Sequence, residues 1–144
     1  MKTDLTKVET ELLDEFHKGN LDIHDLRLKF IIDLDISAVP VMTILGREDD
    51  THTDHDFIVD RLTYEEDPEA IDTLFHMAIS HYDYLDEDDN FGLTIKCIWS
   101  IYKANCPYAM EKLKQLKNQK TSKFQHQYIQ SLIEELLTGK VPIY

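Results

Sequence analysis

The segment His52-Thr53-Asp54-His55-Asp56, preceded by Asp49 and Asp50, holds the side chains in this chain best spaced to do chemistry. Imidazole nitrogens and carboxylate oxygens are ligands for zinc and related divalent ions. A metal held there would activate water, so one expectation is a metal-dependent hydrolase built on His52 and His55. The opposing reading is a solvated acidic loop running into a helix cap, because ligation needs further ligands that the sequence does not mark. The other candidates are weaker. His76 and His81 lie five apart and share no helix face, and His17, His24 and His126 are isolated. Ser100 and Cys106 have no visible base and no G-x-S-x-G elbow. The four glycines, at 19, 46, 92 and 139, build no phosphate loop. Asp83 to Asn90 lacks the mid-loop glycine and the terminal glutamate spacing of a calcium loop. The leading expectation is therefore a protein that is not an enzyme and has no cofactor.

Charge is the stronger signal. The chain carries a formal net charge of -13, and 16 carboxylates but a single arginine, Arg61, lie between Glu48 and Asp89. The acids come in bursts: Glu48 to Asp50, Asp54 and Asp56, Glu65 to Asp67, and Asp86 to Asp89. From residue 101 onward the balance reverses, with Lys103, Lys112, Lys114, Lys117, Lys120, Lys123 and Lys140 against Glu111, Glu134 and Glu135. An acidic surface repels nucleic acid and anionic lipid, and it attracts a basic protein through long-range forces. Neither a nucleic-acid nor a membrane partner is expected. Met1 to Glu11 has no apolar signal core, and the apolar run Ile36 to Leu45 contains Pro40 and is too short to span a bilayer. Cys97 and Cys106 read as reduced thiols, which fits a cytoplasmic protein.

The elements that must position these residues read as helices throughout. The 144 residues form a single domain, with few glycines and prolines to punctuate strands. Apolar spacing and capping residues predict helices near 4–18, 22–34, 37–46 with Ser37 as cap, 54–64, one from Asp67-Pro68 with an inward stripe running from Ile71 to Tyr82, 91–104 capped by Asn90, 107–118, and one from Thr121 or Ser122 to Gly139. Asp67-Pro68-Glu69 is the sharpest start: a cap, a first-turn proline and an acid at the positive end of the dipole. A strand over Phe30 to Ile36 is an alternative on β-branched content.

An internal repeat is also present. Pro68-x-Ala70-Ile71-x-x-Leu74 recurs as Pro107-x-Ala109-Met110-x-x-Leu113, and the same shift of 39 residues carries Ile58, Val59 and Leu62 onto Cys97, Ile98 and Ile101. On these residues, positions 54 to about 138 resemble HEAT-like helical repeats. The resemblance implies an all-α, short α-solenoid of about four antiparallel hairpins. Residues 1–50 would then be degenerate capping helices, and 139–144 a tail.

In size, acidity, helical repeats and absence of catalytic motifs, the chain is similar to the immunity proteins of contact-dependent growth inhibition and related polymorphic toxin systems. That resemblance implies a non-catalytic inhibitor that covers the cationic cleft of a cognate nuclease toxin. From the residues themselves, the candidate partner-binding set is Tyr82, Asp83, Tyr84, Asp86, Glu87, Asp88 and Asp89, with Glu65, Glu66 and Asp67 as a second cluster. Aromatics interleaved with carboxylates suit a Lys- or Arg-bearing partner. The core alternative for Tyr82, and a helical scaffold or adaptor with a peptide groove, stand beside that expectation.

Overall fold

A computed structural model describes residues 5–29 and 39–139 of the chain. The predicted cap Ser37, the inward positions Phe30 and Ile31, the strand alternative and the tail beyond Gly139 lie outside the described residues. Within them the chain is all-α, and no strand occurs. Helices run α1 Lys7–His17, α2 Ile23–Leu28, α3 Val39–Leu45, α4 His55–Leu62, α5 Pro68–Ile79, α6 Glu87–Ala104, α7 Pro107–Lys117 and α8 Gln127–Thr138, with a 3₁₀ turn at Ser122–Gln125 before the last.

Local chemistry sets most boundaries. Thr6 and Glu9 form a capping box at the start of α1, satisfying two orphan amides reciprocally. Asp67 caps α5 with Pro68 in its first turn, and Pro107 opens α7 in the same way. α6 ends on Asn105, whose left-handed φ of 51° turns the chain sharply into Cys106-Pro107. Gly139 closes α8 at φ 79°, a backbone conformation that costs glycine little.

Three boundaries differ from the sequence reading. α5 ends at Ile79, where Ser80 turns to an extended conformation, so Tyr82 lies beyond the helix whose expected stripe includes it. α6 starts at Glu87 rather than 91, because Asp86 is the cap and accepts from the Asp89 amide at 2.7 Å. Glu87, Asp88 and Asp89 then occupy the first turn, where the helix dipole favours negative charge. The helix expected from Thr121 or Ser122 is split: the 3₁₀ turn comes first, and His126 caps α8 by accepting from the Tyr128 amide.

Packing follows a solenoid rule. α3 lies against α4 and α5, α4 against α5 and α6, α5 against α6 and α7, and α6 against α7 and α8. From α3 to α6, each helix thus meets the next one and the next but one. The odd helices α3, α5 and α7 form one layer and α4, α6 and α8 the other, while α1 and α2 pair at the N-terminal end. Same-layer contacts recur close to the sequence period: Thr63 with Ser100, Asp56 with Lys96 and Asp72 with Tyr108. The shift of 39 residues is therefore the step from one helix to its parallel neighbour. Ala70 and Ala109 are both fully buried, as are Leu74 and Leu113, and one apolar cluster runs from Leu13 to Leu136. Burial of this continuous seam, at about 25 cal/mol per Å² of apolar surface, drives the stacking.

Candidate protein-interaction surface

The loop between α3 and α4 and the loop between α5 and α6 meet at one end of the stack. Gly46 makes the first approach possible: a Cβ there would sit 2.4 Å from the Thr73 Cγ2 methyl. Thr73 donates to the Thr43 carbonyl at 3.0 Å and accepts from Arg47 Nε at 2.8 Å, and Arg47 also reaches the Glu69 carbonyl at 3.0 Å. The chain leaving α3 is thereby clamped to α5.

His52 and His55 are the posts of this junction. His52 Nε2 donates to the Leu45 carbonyl at 2.7 Å, and its Nδ1 accepts from the Asp54 amide at 3.0 Å. His55 Nε2 donates to the Glu48 carbonyl at 2.8 Å, and its Nδ1 accepts from the Tyr84 hydroxyl at 2.7 Å. The His55 ring stacks on Tyr82 with centroids 3.8 Å apart and lies 4.5 Å from His52. Burial pushes the His55 pKa down to about 4, so the imidazole is neutral at pH 7. All four ring nitrogens have protein partners. Among the described residues, no group of three or more His, Cys, Asp and Glu side chains converges in a way that could hold a metal. These two rings, the candidate ligands of the alternative metal reading, hold the α3–α4 loop and, through His55, join it to the α5–α6 loop.

On the other side of the junction Asn90 brackets the turn before α6. Its carboxamide oxygen accepts from the Tyr82 amide at 2.8 Å, and its nitrogen donates to the Tyr82, Leu85 and Asp86 carbonyls at 3.0 Å each. Asn90 is buried inside α6 and is not the cap expected from sequence. Tyr82 is only 1% exposed, so its expected role as a surface anchor is corrected: it belongs to the core, stacked on His55. Its hydroxyl has no hydrogen-bond partner among the described residues. Tyr84 is 39% exposed and remains available at the surface.

This architecture gathers acids that are distant in sequence. Asp49, Asp50 and Asp83 line one cleft of about 410 Å³ with Tyr84, and Asp56 and Asp89 line a second of about 380 Å³. Some of the charge is neutralised locally: Asp54 pairs with Arg27, and Lys96 bridges Asp56 and Asp60. Glu48 and Asp49 hydrogen-bond to the His17 and His76 rings. Asp50, Asp83, Glu87, Asp88 and Asp89 are exposed and have no ion pair among the described residues. Asp86 is exposed too, but it is spent on capping α6.

The second expected cluster lies elsewhere. Glu65, Glu66 and Asp67 precede α5, whereas Asp83 to Asp89 follow it. The 12 residues of α5 separate the two clusters by about 18 Å along its axis. Asp67 is 5% exposed and caps the helix, Glu65 is half-buried with its pKa raised by desolvation and by Asp67, and Glu66 alone of the three is fully exposed. This cluster does not join the first.

Comparison with known proteins adds no relative: no family model, no curated protein and no solved structure matches the sequence. Among the described residues, no helix is long and apolar enough to cross a membrane.

Proposed function

We propose that this chain is a non-catalytic binding protein that docks its acidic end on a cationic protein, as an immunity protein does when it covers the basic cleft of a nuclease toxin. The observation that carries this reading is the convergence of carboxylates from residues 48–56 and 83–89 around two adjoining loops, with five of them unpaired among the described residues. A nuclease cleft is basic because it must hold phosphates. A carboxylate surface takes the place of that backbone, speeds encounter and keeps substrate out. Tyr84, half-exposed between Asp83 and the α6 start, is the aromatic anchor in this reading.

The rigidity of the surface supports the same reading. Its loops are fixed by side chains in contact over 29 residues of sequence, His55 to Tyr84, so little ordering cost is left to binding. A scaffold with a peptide groove needs a long apolar concavity, whereas both clefts at this end carry carboxylates in their walls. A hydrolase needs a poised base or metal ligand, and His52 and His55 are fully engaged.

The test is coexpression with the product of the adjacent upstream gene. The reading requires a basic polypeptide that arrests growth alone, is silenced by this chain, and copurifies with it at low but much less at high ionic strength. An anionic or salt-insensitive partner contradicts it.

A further inference from the structure

Beside the acidic end, and sharing His81 with its cleft, is a second cavity of opposite character. Its volume is about 280 Å³, and its walls include Ile79, His81, Phe91, Lys123 and His126, with Glu87 as its one carboxylate. Lys123 is the unusual member. Its side chain is half-buried, and its Nζ donates to the Ser80 carbonyl at 2.7 Å and to Thr94 Oγ1 at 2.9 Å. Those two acceptors anchor the amine and leave one of its three hydrogens without a partner among the described residues. Neither acceptor is charged, and among the described residues no carboxylate lies within ion-pair distance. The neighbouring Cys97 supplies no counter-charge, because burial pushes its pKa up to about 12 and keeps it a neutral thiol. Burial lowers the Lys123 pKa, and the Glu87 carboxylate across the cavity only partly offsets it.

The other wall residues extend this donor-rich character. His126 accepts the Tyr128 amide at Nδ1, so in its neutral form the proton resides on Nε2, a second donor at the wall. Its ring meets Phe91 edge-on with centroids 4.9 Å apart. An ammonium, an imidazole N–H and an apolar wall of Ile79 and Phe91 describe a receptor for a single negative charge on an apolar body. Glu87 opposes any anion in the cavity, and a doubly charged one such as phosphate most.

We infer that the cavity between α5, α6 and the 3₁₀ turn binds a carboxylate carried on a small apolar group, with Lys123 and His126 as its donors and Ile79 and Phe91 as its wall. The inference does not depend on the acidic end or its partner. The carboxylate belongs either to a free small acid or to the C-terminus of a protein chain, and the cavity recognises the same group in both.

The experiment is a calorimetric and amide-NMR titration of the full chain with benzoate, benzamide, inorganic phosphate, and a short peptide ending in phenylalanine as the free acid or the amide. Benzoate or the free-acid peptide should bind, perturb the amides of residues 121–126, and exceed its amide counterpart and phosphate at least about tenfold, the worth of one charge-assisted hydrogen bond. Tighter binding of benzoate identifies a free acid as the source, and tighter binding of the peptide a chain terminus. Lys123→Met should lose the preference for acid over amide, and Lys123→Arg should keep part of it. Equal binding of acid and amide by the wild-type chain, or no binding of either acid, overturns the inference without reference to any variant.

Discussion

The Tyr84 hydroxyl and His55 exchange two hydrogen bonds: the hydroxyl donates to Nδ1 at 2.7 Å and accepts from the His55 backbone amide at 3.3 Å. One side chain thus caps α4 and fixes the tautomer of a buried imidazole. The pair joins the loop ahead of α4 to the loop behind α5, and every acid assigned to the interaction surface hangs from one of those loops or from the first turn of α4 or α6 beside them.

Replacing Tyr84 with Phe keeps the ring but removes both bonds. The buried Nδ1 acceptor is left unpaired, which costs about 1–3 kcal/mol. The urea midpoint should fall with no change in m, and Tyr84→Phe in a His55→Gln background should cost less than in the wild type.

His55 also makes stability depend on pH. Its folded pKa, about 4, lies below the ordinary 6.5, so between those values the unfolded chain binds more protons than the folded one. Stability from this group is complete above pH 6.5 and is lost as pH falls towards 4, on the order of 3 kcal/mol over the window. Urea melts between pH 5 and pH 7 check this, because the difference between wild type and His55→Gln isolates the slope from that of the carboxylates. Parallel curves contradict the buried neutral imidazole.

Gly46 tests the clamp between α3 and α5. Gly46→Ala places a methyl 2.4 Å from Thr73 Cγ2 and should destabilise by about 1–3 kcal/mol through overpacking. Thr73→Ser removes the clashing methyl while keeping the hydroxyl that Arg47 and Thr43 use. The double variant should therefore recover part of the loss, and a strictly additive double variant would show that the clash lies elsewhere.

Asn90 holds the Tyr82 turn by four hydrogen bonds. Asn90→Ala strands the buried Tyr82 amide, while the Tyr82 and Asp86 carbonyls keep the Leu85 and Asn90 amides, and should cost about 1–3 kcal/mol. Hydrogen exchange at residues 82–86 should accelerate well beyond the global change in stability.

These elements show what could be read from the sequence. The starts of α5 and α7 and the shift of 39 residues were legible because proline, cap and apolar spacing are local signals, and they carry the two-layer stack with them. The start of α6 was misread because Asp86-Glu87-Asp88-Asp89 has the composition of a solvated loop, although an Asp cap followed by three acids is also what a helix dipole favours. Asn90 looked like a cap for the same reason, when its carboxamide is turned inward. The junction itself was not legible. His55 meets Tyr84, and Asp49 meets Asp83, only after α4 and α5 have folded back on each other, and no periodicity marks a contact over 29 residues. Lys123 was hidden among surface lysines. The one local hint was Phe124, an inward residue that ties its neighbour to the core.

The central claim is that carboxylates of the 48–56 and 83–89 loops, and not the acidic charge at large, steer a cationic partner. The direct measurement is the association rate with the coexpressed basic partner as a function of ionic strength, for the wild type, for Asp50/Asp83/Asp88/Asp89→Asn, and for Glu65/Glu66→Gln at the far end of α5. The quadruple variant should associate about tenfold or more slowly at low salt, with a flatter salt dependence, while the far-end variant keeps most of the wild-type rate. Equal rates for the wild type and the quadruple variant, or an equal loss from the far-end pair, would contradict the account.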